Sequence, residues 1–274
     1  MEIKRIGVVG SGVMGAGVAH DFSRNGYQVT LVDVEAHALE NARSEIEKSV
    51  RFHSFFSKEG GGGDPKEILS RITFTLDGDS LAEADYLIEN ITEKWALKEP
   101  LYLKLDSFCT DDVIFAANTS AIPITRIGGV TNRADRVIGI HFMNPVPLKD
   151  TVEVIRGEHT SEETVTATRD LLETLGKESV VVNDAPGFVS NRILMLTVNE
   201  AAWVLQDRVA APEQVDRIFK KCFGHKLGPL ETADLIGLDT VLLTLEVLFE
   251  SYKDSKFRPC PLLVRMVDAG YSGR

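Results

Sequence analysis

The chain opens on Lys4-Arg-Ile-Gly-Val-Val-Gly-Ser-Gly-Val-Met-Gly-Ala-Gly17, and the reading of this stretch decides the fold. Residues 3–9 are an apolar, β-branched run. Gly10, Gly12 and Gly15 then give Gly-x-Gly-x-x-Gly, after which Val13, Ala16, Val18, Ala19 and Phe22 recur at helical spacing. The order is strand, tight turn, helix N-terminus. Gly10 serves the turn, Gly12 the approach of a pyrophosphate, and Gly15 close helix packing. The backbone of Gly10, Gly12, Val13, Met14 and Gly15 is thus read as an anion cradle at the positive end of a helix. A second strand, Tyr27-Gln-Val-Thr-Leu-Val-Asp33, ends in an acid about twenty residues after the glycines. A carboxylate there accepts hydrogen bonds from ribose hydroxyls and repels a 2′-phosphate, so the cofactor is read as NAD.

The sequence of 274 residues has room for two ordinary domains. A formal net charge of −11 argues against a general nucleic-acid binder. No apolar run reaches the roughly 18 residues of a membrane span. The three cysteines, Cys109, Cys222 and Cys260, lie far apart with no Cys-x-x-Cys spacing. Reduced thiols, no metal site and a cytoplasmic location are expected, because the chain starts directly in a strand rather than a signal peptide.

After Asp33, residues 35–58 read as a helix, with Leu39, Ala42, Ile46 and Val50 on one face and Phe52, Phe55 and Phe56 in its last turns. The run Gly60-Gly-Gly-Gly63 and a helix over 65–70 complete a hairpin insert over about 35–70. It is either a solvated excursion or a lip whose Lys48, Arg51, Lys58 and Arg71 meet phosphates. Strands over 72–75, 85–91, 113–120, 137–142, 152–155 and 179–182 alternate with helices over 94–108, 124–128 and 161–176. This pattern predicts an α/β Rossmann-type domain over 1–184 with a mostly parallel sheet. Ligands in such folds lie beyond the carboxyl ends of the strands. The unusual polar residues gather there: Asp33, Glu89-Asn90, Asn118-Thr-Ser120 and His141-Phe-Met-Asn144. From 185 to 274 the periodicity is helical, over 188–207, 212–222, 229–253 and 259–269. An all-helical unit of this size buries more surface by pairing with a copy of itself, so a homodimer is expected.

A nicotinamide dinucleotide points to hydride transfer, which for an alcohol needs a base. Of six histidines only His141 stands at a strand end facing a ligand. Glu153, in the otherwise apolar Val152-Glu-Val-Ile155, could orient its ring. On these residues alone His141 reads equally as a core histidine, and Glu153 as an edge residue facing water.

Longer motifs carry a resemblance. Gly139-Ile-His-Phe-Met-Asn-Pro-Val-Pro147, Thr151-Val-Glu-Val-Ile155, Asn183-Asp-Ala-Pro-Gly-Phe-Val-Ser-Asn-Arg192 and Gly228-Pro-Leu-Glu-Thr-Ala-Asp-Leu-Ile-Gly-Leu-Asp239 resemble the 3-hydroxyacyl-CoA dehydrogenase family. The resemblance implies an NAD-binding domain, a helical dimerising domain and a substrate cleft between them. It makes His141 the general acid/base paired with Glu153, and gives the substrate's reacting oxygen and thioester end to Ser120 and Asn191. It places Asn144 and Glu93 at the nicotinamide and its ribose, with Lys98 and Asn118 also on the cofactor side. Departures from the family pattern, such as Ala121 and Lys149-Asp150, fall on the acyl and carrier side. The resemblance therefore implies, as substrate, a short 3-hydroxyacyl thioester of CoA or, alternatively, a hydroxyacyl group carried by acyl carrier protein. From a different class, a catalytically silent dinucleotide-binding dimer is the other alternative.

Overall fold

The structure is a computed structural model that describes residues 3–56 and 64–273. Lys58, the Gly60–Gly63 run and the side chains of Phe52, Phe55 and Phe56 lie outside the described residues. The chain separates into two compact units: residues through Thr119 with Pro123–Asp184, and Ser120–Ile122 with residues from Ala185 onward.

The first unit runs β1 (Arg5–Val9), α1 (Val13–Arg24), β2 (Gln28–Val32), α2 (Ala36–Phe56), α3 (Pro65–Ser70), β3 (Ile72–Thr75), β4 (Tyr86–Glu89), α4 (Trp95–Phe108), β5 (Ile114–Ala117), α5 (Ile124–Gly128), β6 (Val137–His141), β7 (Thr151–Arg156), α6 (Glu162–Thr174) and β8 (Glu178–Asn183). The strands form one sheet in the order β3-β2-β1-β4-β5-β6-β7-β8. Every neighbouring pair is parallel except β6 and β7. This is the mostly parallel Rossmann-type sheet that the sequence predicts. Strands β4 and β5 are buried along their whole length, as a sheet covered on both faces requires.

Val8, Leu31, Ile88 and Ala116 of the sheet share one core with Val18 and Phe22 of α1. Leu39, Ala42, Ile46 and Val50, the apolar stripe of α2, are all buried in that core. The same polypeptide stretch therefore positions the glycine loop twice, through β1 and through α1.

The second unit holds α7 (Ser190–Gln206), α8 (Pro212–Cys222), α9 (Pro229–Ile236), α10 (Leu238–Tyr252) and α11 (Pro261–Asp268) around Val198, Val241, Leu245 and Phe257. The single helix expected over 229–253 is in fact two. Gly237, at φ +100°, ends α9 and starts α10, in a backbone region that glycine enters without steric cost. The first helix of this unit begins at Ser190 rather than at 188, because Phe188 has φ +51° and cannot continue a helix.

Candidate active site

The turn after β1 has the geometry its glycines imply. Gly10 sits at φ +89°, and a Cβ there would meet the Asn90 backbone at 2.9 Å. A Cβ on Gly15 would lie 1.8 Å from the Gly10 carbonyl oxygen, so the first turn of α1 can lie against the loop only because this residue has no side chain. Around Gly12, which caps α1 without a side-chain bond, a Cβ would find nothing within 4 Å. That open side exposes the first-turn amides, including those of Val13 and Met14, to an approaching anion.

Asp33 stands one residue beyond β2. Its Oδ2 accepts from the Ser11 amide at 2.6 Å and the Ser11 hydroxyl at 2.7 Å, and Oδ1 from the Glu35 amide at 3.1 Å. Partial burial pushes this carboxyl upward. The Ser11, Glu35 and Val34 hydrogen bonds outweigh it and hold Asp33 below the ordinary carboxylate value. Ser11 has no separate signal in the sequence, since its role depends on a strand end distant along the chain. A cavity of about 600 Å³ runs from Gly10 and Asp33 to the apolar side chains of Leu76, Leu97, Leu101 and Phe108. Carboxylate at the mouth, apolar walls behind and an uncovered helix N-terminus fit the ribose, adenine and pyrophosphate of a dinucleotide.

At the ends of the central strands Asn118 donates to Asn90 Oδ1 at 2.7 Å and accepts from the Phe142 amide at 3.2 Å. It ties together the residues that follow β4, β5 and β6. Lys98, expected on the cofactor side, is fully buried. Its ammonium donates to both oxygens of the equally buried Glu89 at 2.7 Å and lies 3.6 Å from Glu93. Burial pushes Glu89 above its ordinary value, while Lys98 and the Ile91 amide pull against this. Tyr102 donates to the same carboxylate, and burial beside that charge raises its hydroxyl well above the usual value. Glu93 also accepts from the Thr119 hydroxyl. Lys98 therefore reaches Glu93 from inside the protein rather than from an open surface.

His141 and Glu153 are direct partners in the antiparallel pairing of β6 and β7. Residues paired in this way project to the same face. Nδ1 of His141 lies 3.1 Å from Oε2 of Glu153, and each side chain is 8% exposed. The pairing answers the cost of a carboxylate in an apolar strand. Asn144 lies in the segment after β6, beside a cavity of about 430 Å³ that Gly12 and Val13 also line. In the second unit, Asn191 on the first turn of α7 donates to the Ser120 carbonyl at 3.0 Å, so these two predicted substrate residues are neighbours.

The expected phosphate-binding cations of α2 each pair with an acid of their own helix. Lys48 pairs with Glu45 at 2.6 Å and Arg51 with Glu47 at 2.5 Å, all on the exposed side of one helix. Exposed pairs of this kind are weak and do not hold a cation against a competing phosphate. Arg71 bonds Glu67 and the Ser23 carbonyl.

Comparison with known proteins agrees with this architecture. Residues 5–185 match the family model of the 3-hydroxyacyl-CoA dehydrogenase NAD binding domain, and residues 187–274 match that of the C-terminal domain. The chain is 44% identical over 274 residues to a probable 3-hydroxybutyryl-CoA dehydrogenase of Bacillus subtilis, covering all of this chain and 95% of that protein. It is 42% identical to the 3-hydroxybutyryl-CoA dehydrogenase of Bradyrhizobium diazoefficiens, over 99% of this chain and 92% of that one. The crystal structure of (S)-3-hydroxybutyryl-CoA dehydrogenase from Ralstonia eutropha superposes with a TM-score of 0.90 at 40% identity, covering 100% of this chain and 96% of that chain. The chain belongs to the 3-hydroxyacyl-CoA dehydrogenase family, a family of NAD-dependent oxidoreductases.

Proposed function

We propose that the chain interconverts a short 3-hydroxyacyl-CoA and its 3-oxoacyl form, with His141 as the general acid/base and Glu153 as its orienting partner. The observation that carries this reading is the register pairing of those two residues at the end of the central sheet. NAD, when bound along the glycine loop and Asp33, supplies a two-electron acceptor for the carbinol hydride. His141, with Nδ1 committed to Glu153, takes the hydroxyl proton at Nε2 as the C–O bond becomes a carbonyl. In the reverse direction it returns that proton to the new alkoxide. Glu153 fixes the ring and stabilises the imidazolium formed on proton uptake, as the acid does in hydrolase triads. Ser120 and Asn191 hold the reacting oxygen and the thioester end. Asn144 and Glu93 act at the nicotinamide and its ribose, and Lys48 and Arg51 at the CoA phosphates.

Self-association through the helical unit belongs to the same reading. It is supported by exposed apolar side chains on that unit, among them Ile193, Phe223 and Leu235. A reducing, cytoplasmic setting is supported by three cysteines that are all free thiols.

The test is NADH consumption with acetoacetyl-CoA, repeated with the acetoacetyl group on acyl carrier protein. Turnover with the CoA ester that disappears in His141→Ala is the expected result. Turnover with the carrier-bound substrate alone overturns the CoA assignment. Undiminished turnover in His141→Ala overturns the acid/base.

A further inference from the structure

One buried charged cluster of the first unit has no part in the chemistry above. Asp21 on α1 is fully buried, and burial pushes its carboxyl above the ordinary value while Arg24 and Lys177 pull it back. Arg24 Nη2 lies 2.8 Å from one oxygen and Lys177 Nζ 3.0 Å from the other. Each carboxylate oxygen is thus paired with one cation inside the fold. The cations have other work. Lys177, the buried residue just before β8, donates to the carbonyls of Val146 at 2.8 Å and Lys149 at 2.7 Å. Arg24 donates to the carbonyl of Pro147 at 3.1 Å. The backbone of α1 closes on the same segment at Gly17, where a Cβ would stand 3.1 Å from Val146 Cγ2.

Two cations thus bond three carbonyls in and beside the 3-10 turn Val146–Leu148, and Asp21 holds both cations against α1. Val146 is buried, and a buried backbone carbonyl needs such a donor. A buried ion cluster is weak as a source of stability but strong as a means of fixing one arrangement. The segment so fixed directly follows Asn144, and Asn144 shares its cavity with Gly12 and Val13 at the start of α1.

We propose that Lys177, Asp21 and Arg24 are positioning residues that clamp residues 145–149 onto α1 and so keep Asn144 in register with the glycine loop of the same helix. The second half of this statement rests on the reading of Asn144 as a residue at the nicotinamide.

The test uses the full chain carrying Asp21→Asn with Lys177→Met, which removes anion and cation together and leaves no orphaned buried charge. Amide hydrogen exchange is the first readout. The amides of Leu148 and Lys149 bond back to Pro145 and Val146 and are expected to lose protection, while those of β4 keep theirs. Turnover is the second. A misplaced contact residue costs kcat/KM for NADH roughly tenfold or more. Asn144→Ala is expected to cost as much in the parent chain and to add little in the double variant, since coupled residues are not additive. Unchanged protection at 148–149, or fully additive losses, overturns the clamp. Lost protection with a silent Asn144→Ala overturns instead the reading of Asn144, and with it the second half of the proposal. If the double variant does not fold, Arg24→Gln, which releases the Pro147 carbonyl and leaves Asp21 its pairing with Lys177, is read by the same two measurements.

Discussion

His141 and Glu153 face each other across an antiparallel strand pair, with Nδ1 and Oε2 3.1 Å apart, in a sheet whose other neighbours all run parallel. The direction of β7 is what brings the acid to the histidine. Glu153→Gln keeps the shape and an acceptor but removes the charge that favours imidazolium. We expect kcat to fall about 10²–10⁴-fold with the thermal midpoint little changed. In the proposed mechanism the two act as a unit, so His141→Ala in that background should add little. Steady-state kinetics of the two single variants and the pair checks this, and additive losses would separate their roles.

Gly12 and Gly15 look alike in the motif but should fail differently. Gly12→Ala meets nothing within 4 Å, so the apo protein should melt at its parent temperature. Its methyl group would occupy the side from which the pyrophosphate approaches, so NADH affinity should drop severely. Gly15→Ala places a Cβ 1.8 Å from a backbone oxygen and forces loop and helix apart. That overpacking should cost about 1–3 kcal/mol, a drop of several degrees in melting temperature, in addition to the loss of NADH binding. Calorimetry and NADH fluorescence titration on both variants separate the two effects.

The glycine loop, Asp33, His141 and Glu153 are legible in the sequence because each is announced by its neighbours: a glycine where a turn is needed, or a lone polar residue ending or interrupting an apolar strand. Residues whose role depends on a distant partner are not. Nothing local to Ser11 says that it holds Asp33, and nothing in Trp95-Ala-Leu-Lys98 says that the lysine points inward to Glu89. Asp21 and Lys177 look like ordinary charges of a helix and a turn until the fold joins them. The break at Gly237 is missed for a related reason: an apolar stripe runs through it, and periodicity is blind to a single left-handed residue.

Ser11 and Asp33 make a pH-dependent contribution whose sign follows from the direction of the shift. The hydrogen bonds hold Asp33 below its ordinary value in the folded state. Their stabilisation is therefore complete above the unfolded carboxylate pKa, about 3.9, and is lost as pH falls through the lower folded value. Ser11→Ala should be less stable than the parent at neutral pH by about 1 kcal/mol, and the gap should close in acid. It should also weaken NADH binding, and Asp33→Ala should weaken it further while relaxing the discrimination against NADPH. Melting curves across pH and titrations with both dinucleotides check these outcomes.

Lys98 and Glu89 are each fully buried, and removing one leaves the other without its counter-charge. Lys98→Met should cost about 3–5 kcal/mol at neutral pH. In that variant Glu89 keeps the burial that raises its pKa and loses the ammonium that lowers it, so it folds protonated. The cost should then be small in acid, grow as pH rises above the ordinary carboxylate value, and level off above the raised folded value. Adding Glu89→Gln removes the orphaned charge and should recover most of the stability at neutral pH. It should not recover NADH affinity, because Glu93 still lacks the ammonium 3.6 Å away that helps to fix it. Denaturant melts of the single and double variants at two pH values, with NADH titrations beside them, test both. Recovered stability together with recovered affinity would make Lys98 purely structural.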